Sequence, residues 1–212
     1  MTTVTSEYQK ANRLSFILGL LVLFFLGSEM AFADLRIDVT QGRADPMPIA
    51  LNDFVGIDDN YDQVGSDISR VIAQNLERSG LFAPINKEAF IKKAVPLDRR
   101  PEFSNWKVLN AQAMVHGRVN MEDDGRLNIQ FRLWDTFAEQ QMVGNSYFTT
   151  PKNWRRVAHI ISDLIYKRIT GEDGYFDTRI VYISESGSKD RRRKRLAIMD
   201  QDGACLLYTS DA

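Results

Sequence analysis

The fold is decided by LNIQFRLW at residues 127–134 and NWRRVAHIISDLIYKRIT at residues 153–170. The first stretch alternates apolar and polar residues, which is typical of a strand with one buried face. The second repeats its apolar residues at helical spacing and is followed by Gly171, a common helix stop. Residues 142–149 can pair back on the strand, which predicts an antiparallel hairpin around residues 136–140.

A second main helix is predicted upstream, at residues 66–79. Ser66 can cap its free amides and Gly80 supplies a left-handed stop. One apolar stripe recurs at helical spacing and is formed by Ile68, Val71, Ile72 and Leu76. Asn75 is expected to face away from this stripe. Before the helix, the polar and acidic run GIDDNYDQVG at residues 56–65 predicts a loop.

Shorter elements complete the predicted body of the protein. Strands are expected at residues 48–51, 81–85 and 113–119. A short helix is expected at residues 103–109, with Phe103 and Trp106 on one face. Two main helices with five or six strands predict an α+β fold, in which the helices pack on one face of a mixed sheet.

Near the carboxyl end the chain changes in character. Strands are predicted at residues 179–183 and 195–199, and the second is followed by the Asp-Gly pair 202–203. Between them, SKDRRRKR at residues 188–195 has six basic residues and one acidic residue. Phosphate contact is one interpretation, but no aromatic residue is interleaved to stack bases, so a solvated loop is favoured. Two strands alone do not bury a core, which indicates the start of a repeat with little stability of its own.

The amino terminus has the parts of a cleavable secretory signal over residues 1–33. Two basic residues precede an uncharged apolar core, LSFILGLLVLFFL, at residues 14–26. As a helix this core spans about 20 Å, short of the roughly 30 Å of a hydrocarbon layer. Small residues at Ala31 and Ala33 predict cleavage after Ala33, so that the mature chain begins at Asp34. An uncleaved anchor is the alternative.

Composition and motifs give little sign of catalysis. The formal net charge of −1 gives no general reason to expect nucleic acid as a partner. Cys205 is the single cysteine, and the distant His116 and His159 add no metal-ligand spacing, so neither a metal nor another cofactor is expected. No nucleophile elbow, phosphate loop or dinucleotide glycine pattern occurs. The acidic clusters at residues 58–59 and 122–124 fit solvated turns better than paired catalytic carboxylates.

The two histidines are the remaining candidates for chemistry. A general-base role for His159 would need a hydrogen-bonded partner, which the sequence does not name. His116 lies in a predicted strand and is expected to be structural. No catalytic residue is predicted, and the chain is not expected to be an enzyme.

Three segments resemble the TolB family, the periplasmic component of the Tol-Pal system of Gram-negative bacteria, in their order and spacing. They are ALNDF at residues 50–54, VIAQNLERSGLF at residues 71–82 and ITGEDGYFDTRI at residues 169–180. Residues 196–203 resemble the first Asp-Gly repeat that opens the family's six-bladed propeller. The likeness covers roughly residues 34–204.

The resemblance implies a non-catalytic periplasmic adaptor that supports outer-membrane integrity and constriction at cell division. In the family, the mature amino terminus binds the periplasmic C-terminal domain of TolA and can also fold back on the body, so that its release is regulated. Here the matching residues are Asp34, Leu35, Arg36, Ile37, Asp38, Val39 and Thr40. Their alternating pattern also suits a strand that completes a sheet edge or joins a partner's sheet.

The predicted domains follow from this resemblance. An α+β domain at residues 34–174, with a mobile partner-binding segment at residues 34–48, precedes the opening strands of an incomplete β-propeller at residues 175–204. The family's propeller binds the lipoprotein Pal. The tail CLLYTSDA at residues 205–212 departs from the family and is interpreted as a truncation or a foreign tail, which would leave most of the Pal surface absent.

The predicted protein touches the membranes only peripherally after cleavage and binds no nucleic acid. Two alternatives stay open. An exported hydrolase fragment is one, since propellers also accompany serine peptidases. An envelope sugar- or solute-binding module is the other, and it would require an apolar pocket with convergent polar groups.

Overall fold

The computed structural model describes residues 35–36, 45–56, 59–91, 96–204 and 206–208. The predicted signal peptide, its cleavage residues Ala31 and Ala33, and most of the predicted TolA segment lie outside these residues, as do Cys205 and the end of the tail. Among the described residues, no helix combines the length and apolar character needed to cross a membrane.

The main sheet is mixed, as predicted. Its strands are β1 (Met47–Leu51), β2 (Val55–Gly56), β3 (Phe82–Pro84), β4 (Ala113–Met121), β5 (Leu127–Asp135) and β6 (Gln140–Thr149). They lie in the order β3-β1-β4-β5-β6, and β2 also pairs with β4. β1 runs parallel to β3 and β4, whereas β4, β5 and β6 are antiparallel neighbours. The predicted hairpin between β5 and β6 is therefore confirmed.

Three α-helices are described: α1 (Asp59–Arg78), α2 (Phe103–Lys107) and α3 (Trp154–Thr170). The two long helices, α1 and α3, bury their apolar stripes in one core with the inward residues of the sheet. This main core includes Ile68, Val71, Ile72, Leu76, Ile129, Phe131, Leu133, Val157, Ile161 and Ile165. Each such side chain contributes about 1.5–3 kcal/mol when fully buried. Both predicted stripes are confirmed, and Gly171 ends α3 with φ 84°.

The two main helices, α1 and α3, pack on one face of the sheet, as predicted, whereas the short helix α2 lies on the other face. Successive side chains of a strand point to opposite faces, so Met114 and Trp134 lie opposite the main core. There they pack in a second core with Phe103 and Trp106 of α2. The Trp134 indole N–H donates to His116 Nε2 at 3.0 Å inside this buried region, an arrangement that fits a structural role for His116.

The predicted loop at residues 56–65 is wrong over most of its length, because α1 already begins at Asp59. Ser66, the predicted cap, therefore lies in the helix interior. Gly65 is a packing residue and not a helix breaker: a Cβ built on it would lie 1.9 Å from the carbonyl oxygen of Phe54. The glycine allows the chain after β1 to lie directly on the helix.

A second sheet follows α3. It is antiparallel and consists of β7 (Arg179–Ser186), β8 (Arg193–Asp200) and β9 (Leu206–Tyr208). The predicted two-strand unit thus gains a third strand from the tail. The Asp-Gly turn after β8 places Gly203 at φ 78°, which glycine adopts without strain. The architecture agrees with the predicted fold class, an α+β body followed by the opening strands of an incomplete β-propeller.

Candidate functional site

The predicted TolA-binding segment is represented in the structure by Leu35 and Arg36. Leu35 is partly buried and packs against the main core. Arg36 is exposed. The other predicted residues, Asp34, Ile37, Asp38, Val39 and Thr40, lie outside the described residues. The described part is therefore one apolar side chain docked on the body beside a charged, exposed neighbour.

A polar cluster connects the two long helices to the turn after β8, and we call it the joint. It consists of Asn75, Arg78, Arg155, His159, Ser162, Asp200, Gln201 and Asp202. Asn75 lies at its centre and is fully buried, so the prediction that it faces away from the apolar stripe is wrong. The reason is that α3 packs along α1 and covers the side of the helix that carries Asn75.

Asn75 uses both ends of its amide in the joint. Its Nδ2 atom donates to His159 Nδ1 at 2.9 Å and to Ser162 Oγ at 3.0 Å. Its Oδ1 atom accepts from Arg78 Nη2 at 3.1 Å. Because an amide nitrogen only donates, His159 Nδ1 must accept, and the neutral imidazole then carries its proton on Nε2.

The Nε2 side of His159 faces the turn after β8. It lies 3.6 Å from Asp202 Oδ2, and the Arg155 guanidinium pairs with the same carboxylate. Burial alone would raise the pKa of Asp202, but hydrogen bonds from the Ala204 amide and from Arg155 hold it below its usual value of 3.8. Burial lowers the pKa of His159, against the attraction of Asp202. The joint therefore favours a neutral histidine beside an ionised aspartate.

The joint also brings possible metal ligands together. Atoms of His159, Asp200 and Asp202 lie within 4.8 Å of one another, and imidazole with carboxylates can hold a divalent cation. Two contacts oppose the binding of a metal ion. Arg155 forms an ion pair with Asp202, and the hydrogen bond from Asn75 places the histidine proton on the nitrogen that faces the carboxylates. The geometry is that of a hydrogen-bonded and ion-paired connection between elements.

A second polar cluster resembles a catalytic serine–lysine pair, but its contacts do not suit a nucleophilic serine. Ser69 Oγ lies 2.8 Å from Lys87 Nζ and donates to Asp53 Oδ1 at 2.6 Å. A nucleophilic serine needs a base that can take its proton, whereas this lysine pairs with Asp53 and the serine is fully buried. The adjoining cavity, lined by Asp53, Lys87, Glu88 and Phe90, measures about 150 Å³. Ligand pockets usually measure about 300–1,000 Å³.

The stability of the protein is expected to fall when His159 becomes protonated. Its folded pKa lies below the usual 6.5, so the unfolded chain takes up the proton first as the pH drops. The stabilising contribution of the neutral ring is complete above about pH 6.5 and is lost as the pH falls toward the folded pKa. The charged groups that act on the ring are Asp202, Arg155, Asp200 and Asp177.

Chemical unfolding between pH 7.5 and pH 5 tests this expectation on the native chain and on His159→Gln. The difference in unfolding free energy between the two proteins should shrink as the pH falls. Asp202 acts separately, because its lowered pKa affects stability only below about its usual value of 3.8. Parallel curves for the two proteins would contradict the assignment of the titration to His159.

Comparison with known proteins identifies a family for the amino-terminal part of the chain. Residues 35–142 match the family model of the TolB amino-terminal domain. The structure is similar to the crystal structure of TolB from Acinetobacter baumannii, with a TM-score of 0.63 and 23% identity over 82% of this chain and 41% of that chain. This chain thus spans about two fifths of the length of that protein.

Weaker likenesses extend to two other proteins. The LpoB C-terminal domain from Salmonella enterica is 9% identical over 52% of this chain and 87% of that one, with a TM-score of 0.38. The PelC dodecamer from Paraburkholderia phytofirmans is 12% identical over 66% of this chain and 96% of that one, with a TM-score of 0.41. The family match at residues 35–142 covers just over half of the 212 residues, and the chain belongs to the family of TolB amino-terminal domains.

Proposed function

We propose that this protein is a non-catalytic periplasmic adaptor of the Tol-Pal system and binds TolA through its mature amino terminus, residues 34–40. The observation that carries the proposal is the position of Leu35, whose partly buried side chain packs on the main core. A partly buried leucine contributes less than the roughly 1.5–3 kcal/mol of a fully buried one. A segment held by such a contact can leave the body and add a strand to a partner's sheet.

The body can keep its fold while this segment changes place. The main core is built from α1, α3 and the strands of the main sheet, and its buried members among the described residues lie between Met47 and Phe176. Leu35 contacts this core only from its rim. Release of Leu35 from this rim therefore leaves the described buried interior unchanged.

The other parts of the proposal rest on family membership. Export through the predicted signal peptide, with cleavage after Ala33, would deliver the chain to the periplasm. Pal would bind the propeller, to which β7, β8 and β9 contribute here, and the adaptor would support outer-membrane integrity and constriction at division. The closed arrangement of Ser69 with Lys87 and Asp53 is a reason not to favour the hydrolase alternative.

Removal of residues 34–40 is expected to abolish binding to the purified periplasmic C-terminal domain of TolA. Calorimetric titrations would compare residues 34–212 with residues 41–212. The thermal unfolding midpoint should change little, because the buried members of the main core among the described residues lie outside the removed segment.

A point variant distinguishes the contribution of the segment to TolA binding from the general effect of a polar substitution on the surface. Leu35→Ser should weaken TolA binding, whereas Val108→Ser should leave it unchanged, because Val108 is an exposed aliphatic residue remote in sequence from the segment. Undiminished TolA binding by residues 41–212 would refute the proposal. A loss of binding together with a collapse of the thermal transition would instead show that the segment is part of the fold.

A further inference from the structure

A small cavity lies where two parallel strands of the main sheet end. The described residues that line it are Asp53, Lys87, Glu88 and Phe90. Asp53 follows the end of β1, and the other three follow the end of β3, which runs beside β1 in the same direction. All four lie within residues 35–142, which match the TolB amino-terminal domain. In the described part of the chain, the cavity is thus formed by the α+β body and not by the second sheet.

The topology of the main sheet makes this a favourable position for a ligand. After β1 the chain passes through β2 into α1, which packs on the face of the main core. After β3 it passes into α2, which packs on the opposite face. When neighbouring parallel strands send their connections to opposite faces, a crevice opens outside their carboxyl ends, and open sheets bind their ligands there. The cavity between the ends of β1 and β3 occupies this position.

One wall of the cavity carries charged groups in fixed positions. Behind them lies Ser69 of α1, which is fully buried. Its Oγ atom donates to Asp53 Oδ1 at 2.6 Å and lies 2.8 Å from Lys87 Nζ. Lys87 in turn forms an ion pair with Asp53. Burial alone would raise the pKa of Asp53, but hydrogen bonds from Lys87 and Ser69 hold it below its usual value of 3.8. The wall therefore presents an ionised carboxylate beside an ammonium group.

These charged groups keep hydrogen-bonding capacity for a ligand. Among the described residues, the ammonium of Lys87 contacts Asp53 Oδ1 and Ser69 Oγ, and an ammonium has three N–H donors. Both Ser69 and Lys87 meet Asp53 at Oδ1, and a carboxylate has a second oxygen that can accept. Glu88 adds an exposed carboxylate. The side chains of Lys87 and Asp53 are 37% and 44% exposed, so a ligand can reach them from the solvent.

The size and charge of the cavity limit the kind of ligand. A volume of about 150 Å³ holds a molecule of about the size of benzene. Phe90, which packs in the second core, supplies an apolar surface. The carboxylates of Asp53 and Glu88 repel a simple carboxylate ligand, and the ammonium of Lys87 repels a simple amine. A small zwitterion with a short apolar group satisfies all of these conditions.

We propose that this cavity binds a small α-amino acid of the size of alanine. The ligand carboxylate accepts the third N–H of Lys87, and the ligand ammonium donates to Asp53 and Glu88. Its methyl group contacts the ring of Phe90. Alanine is close to benzene in its number of non-hydrogen atoms, which the volume allows. None of the lining residues belongs to the segment proposed to bind TolA, so the site goes beyond the proposed function.

Titration of residues 34–212 with alanine, followed by amide NMR, tests this inference. The amides of Lys87, Glu88 and Phe90 should shift in a saturable manner, with a dissociation constant on the order of 1 mM for so small a ligand. Propionate lacks the ammonium group and ethylamine lacks the carboxylate. Each should bind at least about tenfold more weakly than alanine, because each loses one set of charged hydrogen bonds.

The proposal is overturned if propionate or ethylamine binds to the native protein as tightly as alanine does. It is also overturned if alanine causes no saturable shift up to about 0.1 M. Both outcomes are measured on the native protein and do not depend on the folding of a variant.

Substitutions assign the binding to the groups of the cavity. Glu88→Gln removes one negative charge from an exposed side chain and should weaken alanine binding by about tenfold. Glu77→Gln is the matched control, since Glu77 is an exposed residue of α1 outside the described lining, and it should leave the affinity unchanged. Lys87→Met should weaken the binding of alanine but not that of ethylamine, a selectivity that a general loss of folding would not produce. Equal affinities of the two glutamine variants for alanine would refute the proposal.

Discussion

Gly65→Ala is expected to lower the free energy of unfolding by about 3 kcal/mol, through overpacking against a rigid neighbour. Helix propensity predicts the opposite sign, since alanine in an exposed helix interior is favoured over glycine by about 1 kcal/mol. Packing decides here because the new Cβ would lie 1.9 Å from the carbonyl oxygen of Phe54 and 2.8 Å from its carbonyl carbon. Phe54 is itself buried in the main core, so its backbone cannot move away without disturbing that core.

Urea unfolding of the native protein and the variant measures this effect, and the thermal midpoint should fall by about 10 °C for a chain of this size. Gly125→Ala is the matched control. Gly125 has φ 82° and no atom within 4 Å of a built Cβ, so its replacement should cost only the left-handed strain of about 1–2 kcal/mol. A Gly65→Ala protein as stable as the native one would show that the contact with Phe54 is not tight.

The regular parts of the fold were predictable because each carries a local signal. The sequence of β5 alternates apolar and polar residues, Gln130 and Arg132 are less buried than their neighbours, and the predicted strand at residues 127–134 differs from Leu127–Asp135 by one residue. α3 begins one residue after its predicted start and ends where predicted. In both elements the periodic apolar residues form one face that packs in the main core, so the period of the sequence identifies that face.

The start of α1 was mispredicted because its cause is tertiary. Glycine in a polar, acidic run indicates a loop when the segment that packs against it is unknown. A usable signal was nevertheless present, since Tyr61 and Val64 pack against the main core and precede Ile68 at helical spacing. The apolar stripe of α1 therefore extends past Gly65 toward the start of the helix, if glycine is treated as a residue that can pack inside a helix.

The joint could not be predicted from the sequence, for a related reason. His159 and Ser162 lie three residues apart, and helical spacing alone places them on one side of α3. Their partner Asn75 is 84 residues from His159, and no pattern in the sequence connects the two. Asn75 lies three residues after Ile72, within the spacing of the stripe, but its polar side chain led to the prediction of an outward position. Only the packing of α3 on α1 reveals that the amide is buried.

Asn75→Ala is expected to lower the free energy of unfolding by about 3 kcal/mol, because it leaves buried polar groups without partners. The variant deprives His159 Nδ1 of its donor at 2.9 Å and Ser162 Oγ of its donor at 3.0 Å. It also removes the acceptor of Arg78 Nη2. Gln74→Ala is the matched control, since Gln74 is the exposed preceding residue on the same helix and its truncation should change stability by less than about 0.5 kcal/mol.

A double-mutant cycle separates loss of the hydrogen bond from loss of volume. Ser162→Ala removes the hydroxyl that accepts from Asn75, so its cost should be smaller in the Asn75→Ala background than in the native protein. Residues that share a hydrogen bond typically give interaction energies of about 0.5–3 kcal/mol. Additive effects of the two substitutions would mean that the hydrogen bond between Asn75 and Ser162 does not contribute to stability, and this part of the description of the joint would then be wrong.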